Sequence, residues 1–194
     1  MQTITFYFKW IISNLIGFIT GSTLGATGVG LLPALIPGDL GLVAGDLVYG
    51  SVIGFFQWLT LKNHKGLTVS IWWLVLVGVG FTVGARFGAL LTHRIVNEWF
   101  LAGIVFGCFM GGSIGLTTAL GFRNNFSFSR FSVWLVTSVL AWVAGESIAF
   151  ASNFSQAAVP WVAAAIGGIT GLGLLWIRSA NSEKADNLSV SVFE

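Results

Sequence analysis

Long apolar runs separated by short polar breaks extend through most of this chain. A transmembrane helix needs about 20 consecutive apolar residues, and the segments that reach this length are 10–32, 42–61, 71–92, 99–121, 131–152 and 157–177. The breaks between them fall at 33–39, 62–66, 93–94, 123–125 and 152–155. The pattern predicts an all-α membrane protein with a six-helix transmembrane domain over residues 1–178. A flexible polar tail is expected at 179–194.

Basic residues fall mainly on one side of the predicted membrane, and an excess of Lys and Arg marks the cytoplasmic side. That side carries Lys9, Lys62, Lys65, Arg123, Arg130, Arg178 and Lys184. Arg94 lies on the other side, and Arg86 lies inside a span. We therefore expect both termini to face the cytoplasm. The N-terminal MQTITFYFKW runs directly into an apolar segment without a small-residue cleavage site, which predicts a first span and not a removed signal peptide.

Similar residues recur along the chain at spacings of 61 and 63 positions. The first shift aligns Gly50, Gly54, Leu59, Lys62, Asn63, Trp73 and Gly84 with Gly111, Gly115, Leu120, Arg123, Asn124, Trp134 and Gly145. The second shift places Trp10 on Trp73 and Phe18 on Phe81. The last span joins through Gly167 and Gly171, matched to Gly111 and Gly115. The recurrence predicts three pseudo-repeated helical hairpins, at about 10–61, 71–121 and 131–177.

Small residues at every fourth position form one face of most predicted helices. In lipid, apolar side chains gain little by meeting one another, so helices associate where small residues let their backbones approach. The glycines expected on these packing faces are Gly17, Gly21, Gly25, Gly50, Gly54, Gly80, Gly84, Gly88, Gly103, Gly107, Gly111, Gly115, Gly145, Gly167 and Gly171.

Ser113 lies in a G-x-S-x-G sequence, the pattern that carries the nucleophile of many serine hydrolases. That turn requires a strand before the serine and a helix after it, whereas Ser113 is inside a continuous membrane helix. A rhomboid-like arrangement would need a histidine on the sixth span, and Ala165 stands about where it is wanted. We expect the Ser113 hydroxyl to bond to its own helix or to a neighbour, so no catalytic site is predicted.

Asp46, Arg86 and Glu146 are ionisable residues inside predicted spans, where each charge costs at least ~2.5 kcal/mol. With ~1.5 Å of rise per residue, all three lie within about 10 Å of the outer boundary. The first expectation is a structural Arg86–Glu146 pair. The alternatives are a substrate or ion site open to the outside, and no contact at all. Gln57 is deep enough to require a hydrogen-bond partner and completes this candidate polar site.

Several tryptophans fall near the inner interface, where an anchoring belt is their ordinary role. These are Trp58, Trp72, Trp73, Trp134 and Trp176. Stacking on a ligand is the alternative explanation.

Composition excludes an ordinary soluble domain. The chain is 55% hydrophobic and 8% charged, with a mean hydropathy of +0.87, against about 25% charged residues in a soluble domain. Its basic residues are not clustered as a nucleic-acid partner would require. Cys108 is the single cysteine, so no internal disulfide forms. His64 and His93 lie in loops on opposite sides and are not placed as pigment ligands. No metal site is predicted, and the sequence assigns no cofactor either way.

The stretch GSVIGFFQWLTLK at 50–62, followed by Trp72, Trp73, Gly80, Phe81 and Gly84, resembles small Gly- and Trp-rich polytopic membrane proteins of cyanobacteria and related bacteria. The likeness is clear over about 50–90, and the second copy departs from it where Thr118 and Ala119 replace Gln57 and Trp58. The resemblance implies a six-span topology and a bacterial inner or thylakoid membrane, with no assigned activity.

Two functional classes follow from the sequence. The first is a non-enzymatic helix-packing, assembly or accessory subunit that contacts the lipid bilayer and associates with itself or with other membrane proteins. The second is a small-solute transporter or membrane-embedded substrate-binding subunit with an outward-facing polar site. An inactive rhomboid-like protein is a remote third alternative.

Overall fold

A computed structural model describes residues 2–26, 30–64, 67, 69–95, 98–122 and 127–190. The chain forms α1 (Gln2–Gly25), α2 (Leu31–Leu35), α3 (Gly38–Leu61), α4 (Trp73–Ile95), α5 (Trp99–Ala119), α6 (Phe128–Ala151) and α7 (Val159–Val190), with a 3₁₀ turn at Gln156–Ala158. Within those described ranges, extended pairing is limited to an isolated antiparallel bridge between Val69 and Phe122. The predicted breaks at 65–66 and 123–125 lie outside the described residues, as do the side chains of Arg94 and Lys184.

The structure confirms the all-α class and the number of membrane-spanning helices. Among the residues that the structure describes, six helices are long and apolar enough to cross a bilayer, over Thr3–Gly25, Gly38–Leu61, Trp73–His93, Trp99–Ala119, Phe128–Ala151 and Gln156–Ala180. Helix α2, at five residues, is too short. These helices indicate an integral membrane protein.

The helix bounds differ from the predicted ones near both ends of the chain. The first span was expected at 10–32, but α1 already begins at Gln2 and ends at Gly25, and residues 31–35 form the separate helix α2. At the other end, α7 continues to Val190 through most of the predicted tail at 179–194, and the flexibility of that tail stays a prediction. That segment contains neither Gly nor Pro between Arg178 and Val190, and its Ala, Glu and Lys residues favour helix.

The long helices form a closed ring in chain order. Helix α1 packs on α3, α3 on α4, α4 on α5, α5 on α6 and α6 on α7, and α7 returns to pack on α1. Ile53, Ile114 and Ile166, from α3, α5 and α7, are all buried in the core. Large apolar side chains such as Phe87 and Leu140 are exposed on the outside of the ring, as a lipid-facing surface requires.

The predicted packing glycines lie at every interface of this ring. Gly17, Gly21 and Gly25 face α3; Gly50 and Gly54 face α4; Gly80, Gly84 and Gly88 face α5; Gly103, Gly107, Gly111 and Gly115 face α6; Gly145 faces α7; Gly167 and Gly171 face α1. A Cβ atom on Gly107 would lie 2.5 Å from the Cα of Val143, and one on Gly17 would lie 2.9 Å from the Cα of Ile53. Because real Cβ contacts are longer, these helices approach as closely as they do only over glycine.

Candidate functional site

A cavity of about 300 Å³ lies inside the ring, in the half of the bundle where α1 ends and α3 begins. We call this half the cavity end. Side chains from all six long helices line the cavity, together with the turn that precedes α7. Its volume is at the lower limit of the range of about 300–1,000 Å³ that is usual for ligand pockets. The space therefore suits a small molecule.

Four aromatic rings form a closed circuit in the wall of the cavity. The ring centroids are 5.9 Å apart for Phe18 and Tyr49, 4.7 Å for Tyr49 and Phe81, 5.7 Å for Phe81 and Trp142, and 5.7 Å for Trp142 and Phe18. Phe18, Phe81 and Trp142 are almost completely buried. These distances fall in the range of favourable aromatic pairs. On α1, α4 and α6, these aromatic residues come one helical turn before the next cavity-lining residues, Ser22, Ala85 and Glu146.

Glu146 lies one helical turn beyond Trp142 on α6 and lines the cavity. Its exposed fraction is 7%. Ser22 on α1 and Ala85 on α4 occupy the same positions relative to Phe18 and Phe81 as Glu146 does to Trp142, and both also line the cavity. In the part of the chain that the structure describes, Glu146 has neither a hydrogen bond nor an ion pair. Its carboxyl group therefore meets the cavity and not a protein partner.

Asp46 also lines the cavity, but its charge is balanced. The Arg86 Nε donates a hydrogen bond of 2.7 Å to Asp46 Oδ2, and Arg86 Nη2 forms an ion pair with the same oxygen. Arg86 Nη2 also donates to the Leu42 carbonyl oxygen at 3.2 Å. The expected Arg86–Glu146 pair is therefore wrong. The Arg86 side chain lies against α3, the neighbour of α4 in the ring, and its hydrogen bonds go to Asp46 and Leu42 of that helix.

The turn between α6 and α7 forms the rim of the cavity. Asn153 and Phe154 adopt left-handed backbone conformations, with φ of 52° and 56°, and the Phe154 amide donates to the Ala149 carbonyl at 2.8 Å. Such a conformation is uncommon for a bulky residue, and here it brings Phe154 to the cavity wall. The neighbouring Ser155 and Gln156 line the cavity and are exposed. The cavity thus extends from buried Glu146 to the surface at the cavity end.

A polar layer lies in the opposite half of the bundle, beyond the aromatic circuit. Gln57 Nε2 donates to Asn14 Oδ1 at 2.9 Å, and Trp73 Nε1 donates to Gln57 Oε1 at 3.1 Å. Gln57, predicted to need a partner, thus has two, and it does not line the cavity. Trp134 Nε1 donates to Thr118 Oγ1 at 2.9 Å.

The interior position of two tryptophans corrects the predicted belt. Trp73 and Trp134 have exposed fractions of 0% and 3%, so they are core residues and not interface anchors. Trp10, on α1, is also buried and donates to Thr170 Oγ1 of α7 at 2.9 Å. Trp72 and Trp176 are exposed, as anchors should be. The two pairs Gln57–Trp73 and Thr118–Trp134 have the same separation of 16 residues, a signal in the sequence that would have indicated equivalent contacts.

Ser113 makes the hydrogen bonds expected of a packing residue. Its hydroxyl donates to the Gly80 carbonyl of α4 at 2.7 Å and lies 2.7 Å from the Phe109 carbonyl of its own helix. His64 contacts Phe6 at the opposite end, and His93 is exposed. Among the described residues, no three His, Cys, Asp or Glu side chains are grouped as a metal site would require. None of Ser113, His64 and His93 lines the cavity.

No protein-family model, no curated protein and no solved structure matches this chain.

Proposed function

We propose that this chain is an integral membrane protein that binds a small solute in the cavity of its helix ring, as a small transporter or a membrane-embedded substrate-binding subunit. The observation that carries the proposal is Glu146, a buried carboxyl group without a protein partner that lines a cavity extending to the surface. An intramembrane ionisable group facing a cavity is typical of substrate and ion pathways. The proposal includes no catalytic step.

The packing glycines favour this function over an assembly role. An assembly subunit would present its small-residue faces to partner helices. Every one of the glycines predicted for such faces instead lies against a helix of the same chain. Gly112 is different, because a Cβ atom there would have no neighbour within 4 Å. Self-association and binding of other membrane proteins remain the second candidate, to be carried by surfaces other than the glycine faces.

We also propose that the ring consists of three repeated hairpins. Two kinds of contact support this idea. Three buried tryptophans each donate to a polar side chain of the preceding helix in the ring: Trp73 to Gln57, Trp134 to Thr118, and Trp10 to Thr170. Gly54, Gly115 and Gly167 face matching pairs, Leu74 with Val77, Leu135 with Ser138, and Ile11 with Asn14. These contacts make Gly167 equivalent to Gly115. The sequence comparison instead matched Gly167 with Gly111, one helical turn earlier.

Three hairpins contain six spans, and an even number of spans places the two ends of the transmembrane domain on the same side of the membrane. The distribution of Lys and Arg favours the cytoplasm for that side. The cavity end would then face outward. A bacterial inner or thylakoid membrane is the proposed location, and the resemblance to small Gly- and Trp-rich membrane proteins of cyanobacteria and related bacteria stays a prediction.

Cysteine accessibility tests the proposed function directly. In a Cys108→Ala background, single cysteines are introduced at Ser155 on the rim, Ser22 in the cavity wall and Ser138 beyond the aromatic circuit. Intact cells are treated with a small water-soluble methanethiosulfonate. We expect Ser155→Cys and Ser22→Cys to react and Ser138→Cys, whose native side chain is 1% exposed, to stay unmodified. Reaction at Ser22→Cys no faster than at Ser138→Cys would contradict an outward-open solute cavity.

A further inference from the structure

The cavity has the chemistry of a site for a positively charged ligand. Asp46 is paired with Arg86, so Glu146 is the acidic residue of the wall whose carboxyl group no described side chain pairs. Among the described residues that line the cavity there is no Lys, Arg or His. An anionic ligand would meet no cationic partner here. A cation, in contrast, would pair with the Glu146 carboxyl group and stabilise its ionised form.

The aromatic circuit favours an organic cation over a hydrated metal ion. Phe18, Tyr49, Phe81 and Trp142 line the same space as Glu146, and neighbouring ring centroids are 4.7 to 5.9 Å apart. A cation is attracted to an aromatic face within about 6 Å of the ring centroid, and quaternary ammonium groups are often recognised in this way. With rings this close together, one ligand in the cavity can contact more than one of them. A metal ion would require several ligands in direct contact with it, and no three His, Cys, Asp or Glu side chains are grouped for this among the described residues.

We propose that this cavity binds a small organic cation, a quaternary ammonium compound or a protonated amine, held between the Glu146 carboxyl group and the aromatic circuit. This inference rests on the proposed solute-binding function and narrows its substrate to one chemical class. The volume of about 300 Å³ limits the ligand to a small one.

The first experiment compares two thiol reagents of opposite charge at Ser22→Cys in the Cys108→Ala background. The trimethylammonium-ethyl methanethiosulfonate is compared with the sulfonatoethyl methanethiosulfonate, and the rate ratio is normalised to the ratio at the rim variant Ser155→Cys. A cleft of one charge sign raises the local concentration of counter-ions at least about tenfold, so we expect a normalised preference of that size for the cationic reagent. Glu146→Gln should reduce the preference to the rim value, whereas Asp39→Asn, at an exposed position, should not change it.

The second experiment uses a reversible ligand and its neutral isostere. Choline and 3,3-dimethylbutan-1-ol have nearly the same shape and differ in charge. We expect choline to slow modification of Ser22→Cys by uncharged methyl methanethiosulfonate, and the alcohol to have no effect at the same concentration. Phe81→Leu, which keeps an apolar side chain but removes the π surface, should weaken protection by choline. Continued protection of Ser138→Cys, whose native residue is buried, shows that the bundle is folded in each variant.

The outcomes separate this inference from the proposed function. Equal protection by choline and the alcohol, or no protection by either while Ser22→Cys stays reactive, would overturn the cation assignment and leave a solute cavity. A cationic reagent preference that survives Glu146→Gln would likewise refute the role of that carboxyl group. If Ser22→Cys does not react at all, both proposals fail.

Discussion

Removing the Arg86 charge should destabilise the bundle more than removing the charge of its partner. The side chain of Asp46 is 5% exposed, whereas that of Arg86 is 35% exposed. In Arg86→Met, the buried Asp46 carboxylate loses its cation, and an unbalanced buried charge costs about 3–5 kcal/mol. In Asp46→Asn, the Arg86 guanidinium keeps its bond to the Leu42 carbonyl, and the amide oxygen that replaces the carboxylate can still accept a hydrogen bond from it. That variant loses charge-assisted hydrogen bonds of about 1.5–3 kcal/mol.

The double variant Asp46→Asn/Arg86→Met distinguishes this explanation from simple loss of contacts. It removes the stranded carboxylate together with the arginine, so its stability should be at least that of Arg86→Met alone. The two single effects should therefore fail to add, by about 1 kcal/mol or more, as expected for groups in direct contact. Additive losses would show that each side chain stabilises the helices independently.

The assay is reversible unfolding in mixed micelles by sodium dodecyl sulfate, followed by tryptophan fluorescence. The exposed charges Asp39 and Lys9 provide matched controls. Asp39→Asn and Lys9→Met should stay within about 0.5 kcal/mol of the parent protein, as surface substitutions usually do. An Arg86→Met variant no less stable than Asp46→Asn would refute the reasoning, because burial of Asp46 is what predicts the asymmetry.

Two further predictions test the interior of the ring in the same unfolding assay. Trp73→Phe deletes the donor to Gln57 Oε1 and should destabilise the protein by about 0.6–1.7 kcal/mol, from the average to the maximum measured for hydrogen bonds between membrane helices. Trp72→Phe, at a site 65% exposed, should leave the stability unchanged. Equal effects of the two substitutions would show that Trp73 is not a core residue. Gly107→Ala places its Cβ 2.5 Å from the Val143 backbone and should separate α5 from α6 with loss of folded protein on size-exclusion chromatography. Gly112→Ala places its Cβ atom in open space and should stabilise the protein by up to about 1 kcal/mol, because Ala has a higher helix propensity than Gly. A folded Gly107→Ala variant would contradict the close approach of α5 and α6.

The number of spanning helices could be predicted from the sequence because length and hydropathy are local properties of a segment. Helix ends were less predictable. The start of α1 at Gln2 includes exposed Thr3 and Thr5, which a count of apolar residues excludes. The polar end of α7 is helical because helix formation depends on propensity as well as on hydropathy. Neither feature changes the number of times the chain crosses.

The partner of Arg86 could not be predicted because sequence gives the depth of a residue but not its direction around the bundle. Glu146, Asp46 and Arg86 have similar depths, and only the order of helices in the ring decides which carboxyl group faces the guanidinium. The same limit explains Trp73 and Trp134. Their depth fits an interface belt equally well, and only the hydrogen bonds to Gln57 and Thr118 place them inside.

The cavity itself follows from a change in side-chain size between two successive levels of the ring. At the first of these levels, the aromatic side chains of Phe18 on α1, Phe81 on α4 and Trp142 on α6 fill the interior of the ring. One turn further along the same helices, two of the three positions hold the small residues Ser22 and Ala85, and the third holds Glu146. Two small side chains cannot fill the space that three aromatic rings occupy below, so a void remains. The carboxyl group that lines this void is the feature that makes it a candidate binding site and not merely a packing defect.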